Sequence, residues 1–338
     1  MKAVVLVGGE GTRMRPLTET VPKPLLPMVD RPFLDHVLDR LAAHGVDAVI
    51  LSSPYLEEVF DPFLRTRLGR APAVEWITEA RPLGTAGAIA NALDHVDDTF
   101  LVLNGDILTD LDLTALTAFH RQQGAVATIA LAAVDDARPY GLVDVDDSDR
   151  VTAFREKPAE PVQGTVNMGT YVLEPVALRG VSTTRSVSIE TEVYPGLIAS
   201  KVPVYGFVSD AYWKDLGTPD TYLRATFDAL EGAIDGLVYA APFLAEGAVV
   251  AKGAHVGPRV VLGPGAALGE GAAVDDAVLY AGVRVEAGAS VRHSILGHAV
   301  RVGEGARVEG SVLAEGAIVP PGAAARGAKV PPFTILET

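Results

Sequence analysis

The spacing of hydrophobic and polar positions changes character once along the chain, between residues 221 and 242. Before that point, short apolar runs alternate with stretches of helical period. Ala3 to Val7 is unbroken and apolar, the pattern of a central strand covered on both faces. Phe33, Val37, Leu38 and Leu41 then recur at helical spacing and Gly45 closes the segment. Strands follow at Ala48 to Leu51, Val74 to Ile77 and Thr99 to Leu103, with helices over Tyr55 to Leu64, from about Thr85, and over Leu113 to Gln123. Further strands cover Ala127 to Val134, Gly141 to Val145, Val151 to Glu156 and Thr170 to Leu173. Strand and helix in alternation predict an open, mostly parallel α/β sheet, with ligands beyond the carboxyl ends of its strands.

An amphipathic helix from Thr221 to Ile234 leads into a different pattern. Aliphatic residues recur from Leu244 and Val250 through Leu268, Val285 and Val302 to Val319, mostly every sixth residue, with glycine and alanine between them. A six-residue aliphatic period with small neighbours predicts a left-handed parallel β-helix of hexapeptide repeats, about four to five coils long. The expected division is residues 1–220, a helical linker over 221–242, and the repeats over 243–338.

Composition narrows the partners. The formal charge of -15 argues against nucleic acid or an anionic membrane, because either needs a basic face. An acidic chain that handles anions must concentrate its cations locally. There are no cysteines, which rules out disulfides and thiolate metal sites. The first apolar run is too short for a signal peptide and no run approaches a membrane span, so the expected location is the cytoplasm.

Candidate chemistry lies in the loops. Gly8, Gly9 and Gly11 follow the first strand, where the backbone must turn so that several N–H groups face one anion. The loop is neither a Walker A motif, lacking Lys-Ser/Thr, nor a dinucleotide fingerprint, since Met14 stands where a third glycine belongs. Arg13 adds a guanidinium fork for phosphate, and Pro22 and Pro24 on either side of Lys23 hold the chain extended and fix where its ammonium points. Gly84, Thr85 and Gly87 suit either a tight turn with an N-cap or a loop on which a base lies, with Glu79 accepting from ring N–H groups. Asn104-Gly105-Asp106 reads either as a hairpin turn or as a carboxylate placed for Mg²⁺, while Asp110 and Asp112 read as charge at a helix start. Glu156-Lys157-Pro158 is either a surface ion pair or a binding pair, and lysine is scarce here, with seven against 21 arginines. Ser188 to Glu192 has the look of a capping box.

Gly8-Gly-Glu-Gly-Thr-Arg13-Met-Arg-Pro16-Leu-Thr18, followed by Pro22-Lys23-Pro24-Leu-Leu-Pro27, resembles the signature of the sugar-1-phosphate nucleotidylyltransferases. Trp213-Lys-Asp215-Leu-Gly217-Thr-Pro219 resembles the Trp-x-Asp-x-Gly-Thr-Pro of the same family, and Asn167-Met-Gly169 its Asn-Ala-Gly. The resemblance implies a Rossmann-like nucleotidyltransferase domain that transfers a nucleotidyl group from a nucleoside triphosphate to a sugar 1-phosphate. Leu6, Gly8, Gly9, Gly11, Thr12, Arg13, Glu79, Pro82, Gly84, Thr85 and Asp106 would then hold the nucleotide. Gly105, Gly141, Glu156, Lys157, Asn167, Gly169 and Glu190 would hold the sugar phosphate, and Asp106 and Asp215 would hold Mg²⁺. Arg13, Lys23, Asp106, Lys157 and Asp215 would carry the catalysis.

Pro82-Leu-Gly-Thr-Ala-Gly87 is similar to the guanylyltransferase branch, which implies GTP and mannose 1-phosphate. A heptose or another sugar-like phosphate fits the same scaffold, and a glucose-1-phosphate thymidylyl- or uridylyltransferase is the alternative. Other classes are a non-catalytic nucleotide-sugar binder and, through His255, His293 and His298 on the repeats, an acyltransferase. The repeats' expected role is homo-oligomer assembly. Met168 stands where the family has alanine, and the sequence offers no account of Lys214.

Overall fold

The computed structural model describes residues 1–54 and 57–337. Contacts divide the chain into two compact units, Met1–Gly9 with Leu34–Trp213, and Glu10–Phe33 with Lys214–Thr338. Among the described residues no helix is long and apolar enough to cross a membrane.

The first unit is built on a nine-stranded sheet. Its strands are β1 (Lys2–Leu6), β2 (Ala48–Ser53), β3 (Ala73–Thr78), β4 (Phe100–Asn104), β5 (Ala127–Val134), β6 (Gly141–Val145), β7 (Val151–Glu156), β8 (Gly164–Leu173) and β9 (Val204–Ser209). The order β7-β6-β8-β4-β1-β2-β3 has a parallel centre, β4-β1-β2-β3, and β8 runs antiparallel to β4. β5 pairs with β8, and β9 joins β5 in parallel. Val4, Val102, Ile129 and Tyr171 pack in one buried cluster with Ala86 and Ile89 of the helix Gly84–Asn91. The helix Leu113–Gln123 is capped by Asp112, whose carboxylate accepts from Thr114 N and Ala115 N at 2.9 Å. Asp110 has another role, accepting from Tyr212 N at 2.7 Å.

Three elements differ from the sequence reading. Tyr55 and Leu56 lie outside the described residues, and the helix expected over Tyr55 to Leu64 is a 3₁₀ turn at Glu57–Val59 followed by an α-helix at Asp61–Arg67. Asn167 and Gly169 do not precede the strand at Thr170 but lie within β8, where pairing with β5 shifts register between Asn167 and Tyr171. The linking helix spans Pro219–Leu230, because Thr218 and Thr221 form a reciprocal cap that starts it early.

In the second unit, the parallel strands from Phe243 onward stack with partners 17 or 18 residues apart on three faces, as Val249 with Ala267, Ala273 with Ser290, and Val260 with Ala277 show. The six-residue aliphatic column points inward: Leu268, Val285, Val302 and Val319 are all buried. Leu244 and Val250 are exposed, since the first coil has no coil stacked beneath it. Successive coils approach so closely that a Cβ on Gly303 would lie 2.5 Å from Pro321 N.

The segment 10–33 belongs to this unit through the Tyr222 phenol, which donates to Pro27 O and accepts from Tyr280 Oη at 3.2 Å. Arg259 lies over the Phe227 ring at 5.1 Å and pairs with Asp276 at 2.6 Å, tying the helix Pro219–Leu230 to the coils. Lys214 finds its place here too, 3.8 Å from the buried Asp228 of that helix.

Leu279 is fully buried inside the coil stack. Leu279→Ala should lower the stability of this unit by about 2–5 kcal/mol, read as a lower urea midpoint at unchanged slope by far-ultraviolet circular dichroism.

Candidate active site

In the first unit, the site is set by how tightly the ends of β1 and β4 meet. Leu6 pairs with Asn104, and Gly105 N donates to Leu6 O at 2.9 Å. A Cβ on Gly105 would lie 2.6 Å from that oxygen, and one on Gly8 would lie 2.3 Å from Pro54 Cδ. Both glycines are therefore required by close approach. Asp106 and the Gly8-Gly9 turn leave neighbouring parallel strands at their carboxyl ends, where an open sheet exposes its backbone.

Glu79 follows β3 and is only 6% exposed. Its Oε2 accepts from Leu83 N at 2.9 Å and its Oε1 from Ser52 Oγ at 3.3 Å. The carboxylate thus braces the turn that carries Pro82 and Gly84, and burial raises its pKa. Gly84 has φ +70, and a Cβ there would lie 2.6 Å from Val187 O. Thr85 is not an N-cap. Its hydroxyl donates to Glu190 Oε2 at 2.8 Å and accepts from Ile189 N at 2.8 Å.

Glu190 lies in a π-helical turn, Ile189–Val193, entered through Ser188. Its Oε2 also accepts from Ser188 Oγ at 2.7 Å, whereas Oε1 has no hydrogen bond among the described residues. One oxygen is held and the other is open to a hydroxyl. Glu156 closes β7 opposite Gly141, whose missing side chain leaves the carboxylate room, since a Cβ there would meet Glu156 Oε2 at 2.9 Å. Lys157 Nζ lies 3.2 Å from Glu156 Oε1 and remains exposed.

Asn167 shapes the bulge in β8. Its Oδ1 accepts from Gly169 N and its Nδ2 donates to Tyr171 Oη, both at 2.8 Å. Gly169 has φ +71, and a Cβ there would lie 2.7 Å from Asn104 Nδ2. Met168 points into the core, and its carbonyl accepts from Trp213 Nε1 at 2.8 Å. Tyr171 is fully buried; burial raises its pKa well above the ordinary value, and the charges of Glu190, Glu156 and Asp106 push it further. Asn167 thus holds this phenol directly, while the three carboxylates, more distant in sequence, act on it through space. Nothing in the periodicity marked Tyr171, which reads as a core residue of its strand.

In the second unit, two cations lie around a carboxylate. Asp215 Oδ2 lies 3.5 Å from Arg13 Nη2, and Oδ1 lies 3.6 Å from Lys23 Nζ. Gly217 leaves the guanidinium its space, since a Cβ there would sit 2.6 Å from Arg13 Nη2. Gly11, at φ +60, turns the chain into the 3₁₀ helix Thr12–Met14, and Thr18 Oγ1 donates to Gly11 O at 2.8 Å. Lys23 is not held extended. Leu25 N donates to Pro22 O at 2.8 Å, closing a 3₁₀ turn over Lys23–Leu25. Among the described residues there is no cluster of three or more acids and histidines that could hold a metal. Mg²⁺ does not require one, because it is usually bound by one or two carboxylates together with substrate phosphates and water.

Comparison with known proteins places these features. Residues 2–232 match the family described as Nucleotidyl transferase, and residues 239–338 match the GMPPB C-terminal domain. A mannose-1-phosphate guanylyltransferase of Mycobacterium tuberculosis is 40% identical over 84% of this chain and 81% of its own length. A UTP–glucose-1-phosphate uridylyltransferase of Synechocystis is 34% identical over 67% of this chain, and the match spans 62% of that relative. The crystal structure of HddC from Yersinia pseudotuberculosis complexed with GMP-PN has a TM-score of 0.58 and 30% identity, covering 67% of this chain and 97% of that one.

The raised pKa of Glu79 has a measurable sign. The folded state binds the proton more tightly than the unfolded chain, so stability falls as pH rises above about 4.5 toward the raised value. Glu79→Gln should flatten that part of the stability profile, measured by urea unfolding across pH.

Proposed function

Because the chain belongs to the nucleotidyl transferase family, we propose that it transfers a guanylyl group from GTP to mannose 1-phosphate, giving GDP-mannose and pyrophosphate. The observation that carries this reading is the meeting of Arg13, Lys23 and Asp215, drawn from the two ends of the matched region. A sugar-phosphate oxygen attacks the α-phosphorus, the bond to the bridging oxygen of pyrophosphate breaks, and no protein nucleophile takes part. Such a reaction depends on positioning and on charge stabilisation.

Each residue present has a part to play. The backbone of Gly8, Gly9, Gly11 and Thr12, with Arg13, takes the triphosphate. Lys23 holds Asp215 in the resting protein and passes its charge to phosphate oxygens when they arrive. Lys157 takes the phosphate of the acceptor, with Glu156, Glu190 and Asn167 toward its hydroxyls. Glu79 acts through the turn it braces, presenting Pro82, Gly84 and Thr85 to the base. Asp106 and Asp215 suit Mg²⁺, being hard oxygen donors, and the bound ion would draw charge from the phosphates.

The coil stack is read as a left-handed β-helix that assembles copies of the chain, with the exposed Leu244, Val249 and Val250 of its first coil available for burial. The domain limits 1–220, 221–242 and 243–338 are retained as functional divisions.

Pyrophosphate release should be fastest with Mg²⁺, GTP and mannose 1-phosphate. Release only with UTP or dTTP and glucose 1-phosphate would establish the alternative specificity, and GTP with only a heptose 1-phosphate would change the sugar. Asp106→Asn and Asp215→Asn should each lower kcat by about a hundredfold, or about 3 kcal/mol of barrier. Lys157→Ala should chiefly raise KM for the sugar phosphate, measured in the same assay.

A further inference from the structure

The outer surface of the coil stack has one face unlike the others. Register along His255–Val256, Ala273–Leu279, Ser290–Leu296, Arg307–Glu309 and Ala324–Arg326 sets out two outward columns on consecutive rungs. One reads His255, Ala273, Ser290, Arg307, Ala324, and the other Asp275, Arg292, Glu309, Arg326. Rungs of a parallel sheet lie about 4.8 Å apart, so the three arginines are close neighbours. A cavity of about 280 Å³ opens among Asp275, Ser290, Arg292, Arg307, Glu309 and Arg326.

Alternating charges on adjacent strands ordinarily neutralise one another in cross-strand ion pairs. Here they do not. Among the described residues, Arg292, Arg307, Arg326 and Glu309 form no ion pair at all. Asp275 is engaged by His255 Nε2 at 3.0 Å. Asp276 is held by Arg259 at 2.6 Å and feels Arg292 only through space. Three guanidinium groups thus outnumber the two carboxylates, Asp275 and Glu309, around a concavity in a chain of net charge -15. Ala273 and Ser290 keep its floor low because their side chains are short.

We propose that this face binds a small phosphate monoester. Guanidinium forks match the tetrahedral oxygens of a dianionic phosphate, and the Ser290 hydroxyl adds a further donor. The volume is near the lower limit of small-molecule sites, enough for a phosphate and a short polyol. Glu309, lying between Arg292 and Arg326 in its column, opposes a bare anion but accepts from the hydroxyls of an organic ester. The site is built for the ester over inorganic phosphate. It is made from residues that have no part in the proposed transfer reaction and stands independently of it.

The test is isothermal titration of the full chain at low salt with ribose 5-phosphate and, separately, with inorganic phosphate. Wild type should show a saturable site for the ester and weaker binding of inorganic phosphate. Arg292→Gln and Arg307→Gln should each weaken the ester about tenfold, while pyrophosphate release is unchanged. Glu309→Gln should act in the opposite direction on inorganic phosphate, raising its affinity severalfold, and keeps the test open if an arginine variant folds poorly. Heats that are the same in wild type and all three variants would overturn the proposal, as would no saturable binding of either probe. Equal affinity for the two probes in wild type would overturn the preference for an ester.

Discussion

Most of what the first unit can do depends on one close contact, the Gly105 N–H against the Leu6 carbonyl where β4 and β1 end. Two parallel strands in register can diverge after their last pair. Here a backbone hydrogen bond with no room for a Cβ holds them together one residue longer. Asp106 and the Gly8-Gly9 turn therefore start from a fixed common base. A loop starting from a strained or frayed strand end would lose its ordering entropy only when ligand arrived, and that cost would be taken from the binding free energy.

The same economy of space recurs in both units. Gly141 makes room for the Glu156 carboxylate, Gly169 for the Asn104 amide, and Gly217 for the Arg13 guanidinium. In each case the absent side chain gives volume to a polar group on another element. Gly141 and Gly217 are thus packing residues for charges, whereas Gly169, like Gly11 and Gly84, also sits at positive φ. An alanine at Gly217 would displace the Arg13 guanidinium without straining a turn, whereas one at Gly169 would both crowd the Asn104 amide and strain the backbone.

The strands and the coil repeat were legible because burial imposes a period on them. The spans Ala127–Val134, Gly141–Val145 and Val151–Glu156 were readable to the residue, and the six-residue column is the interior of the stack. Motif residues such as Arg13, Lys23 and Asp215 were visible through their resemblance to a family signature, but their contact with one another was not, because no local pattern records a pairing across some 200 residues. Glu79 and Thr85 show the limit most clearly. Their residue types suit ligand contacts or caps, yet their polar atoms are committed to Leu83, Ser52, Ile189 and Glu190. Only tertiary structure distinguishes an acceptor aimed at a ligand from one that holds the loop.

Tyr171 is one buried neutral group on which several acidic residues act at once. A buried phenol hydrogen-bonded by Asn167 lies in the field of Glu190, Glu156 and Asp106, which adds to burial in raising its pKa. Glu190 is further steadied by two hydroxyl donors on one oxygen, Thr85 and Ser188, while its second oxygen stays open. The negative charge is thereby organised before any ligand binds. A cationic or hydroxyl-rich partner then gains from a field already in place, and an electrostatic site of this kind needs little rearrangement when its substrate arrives.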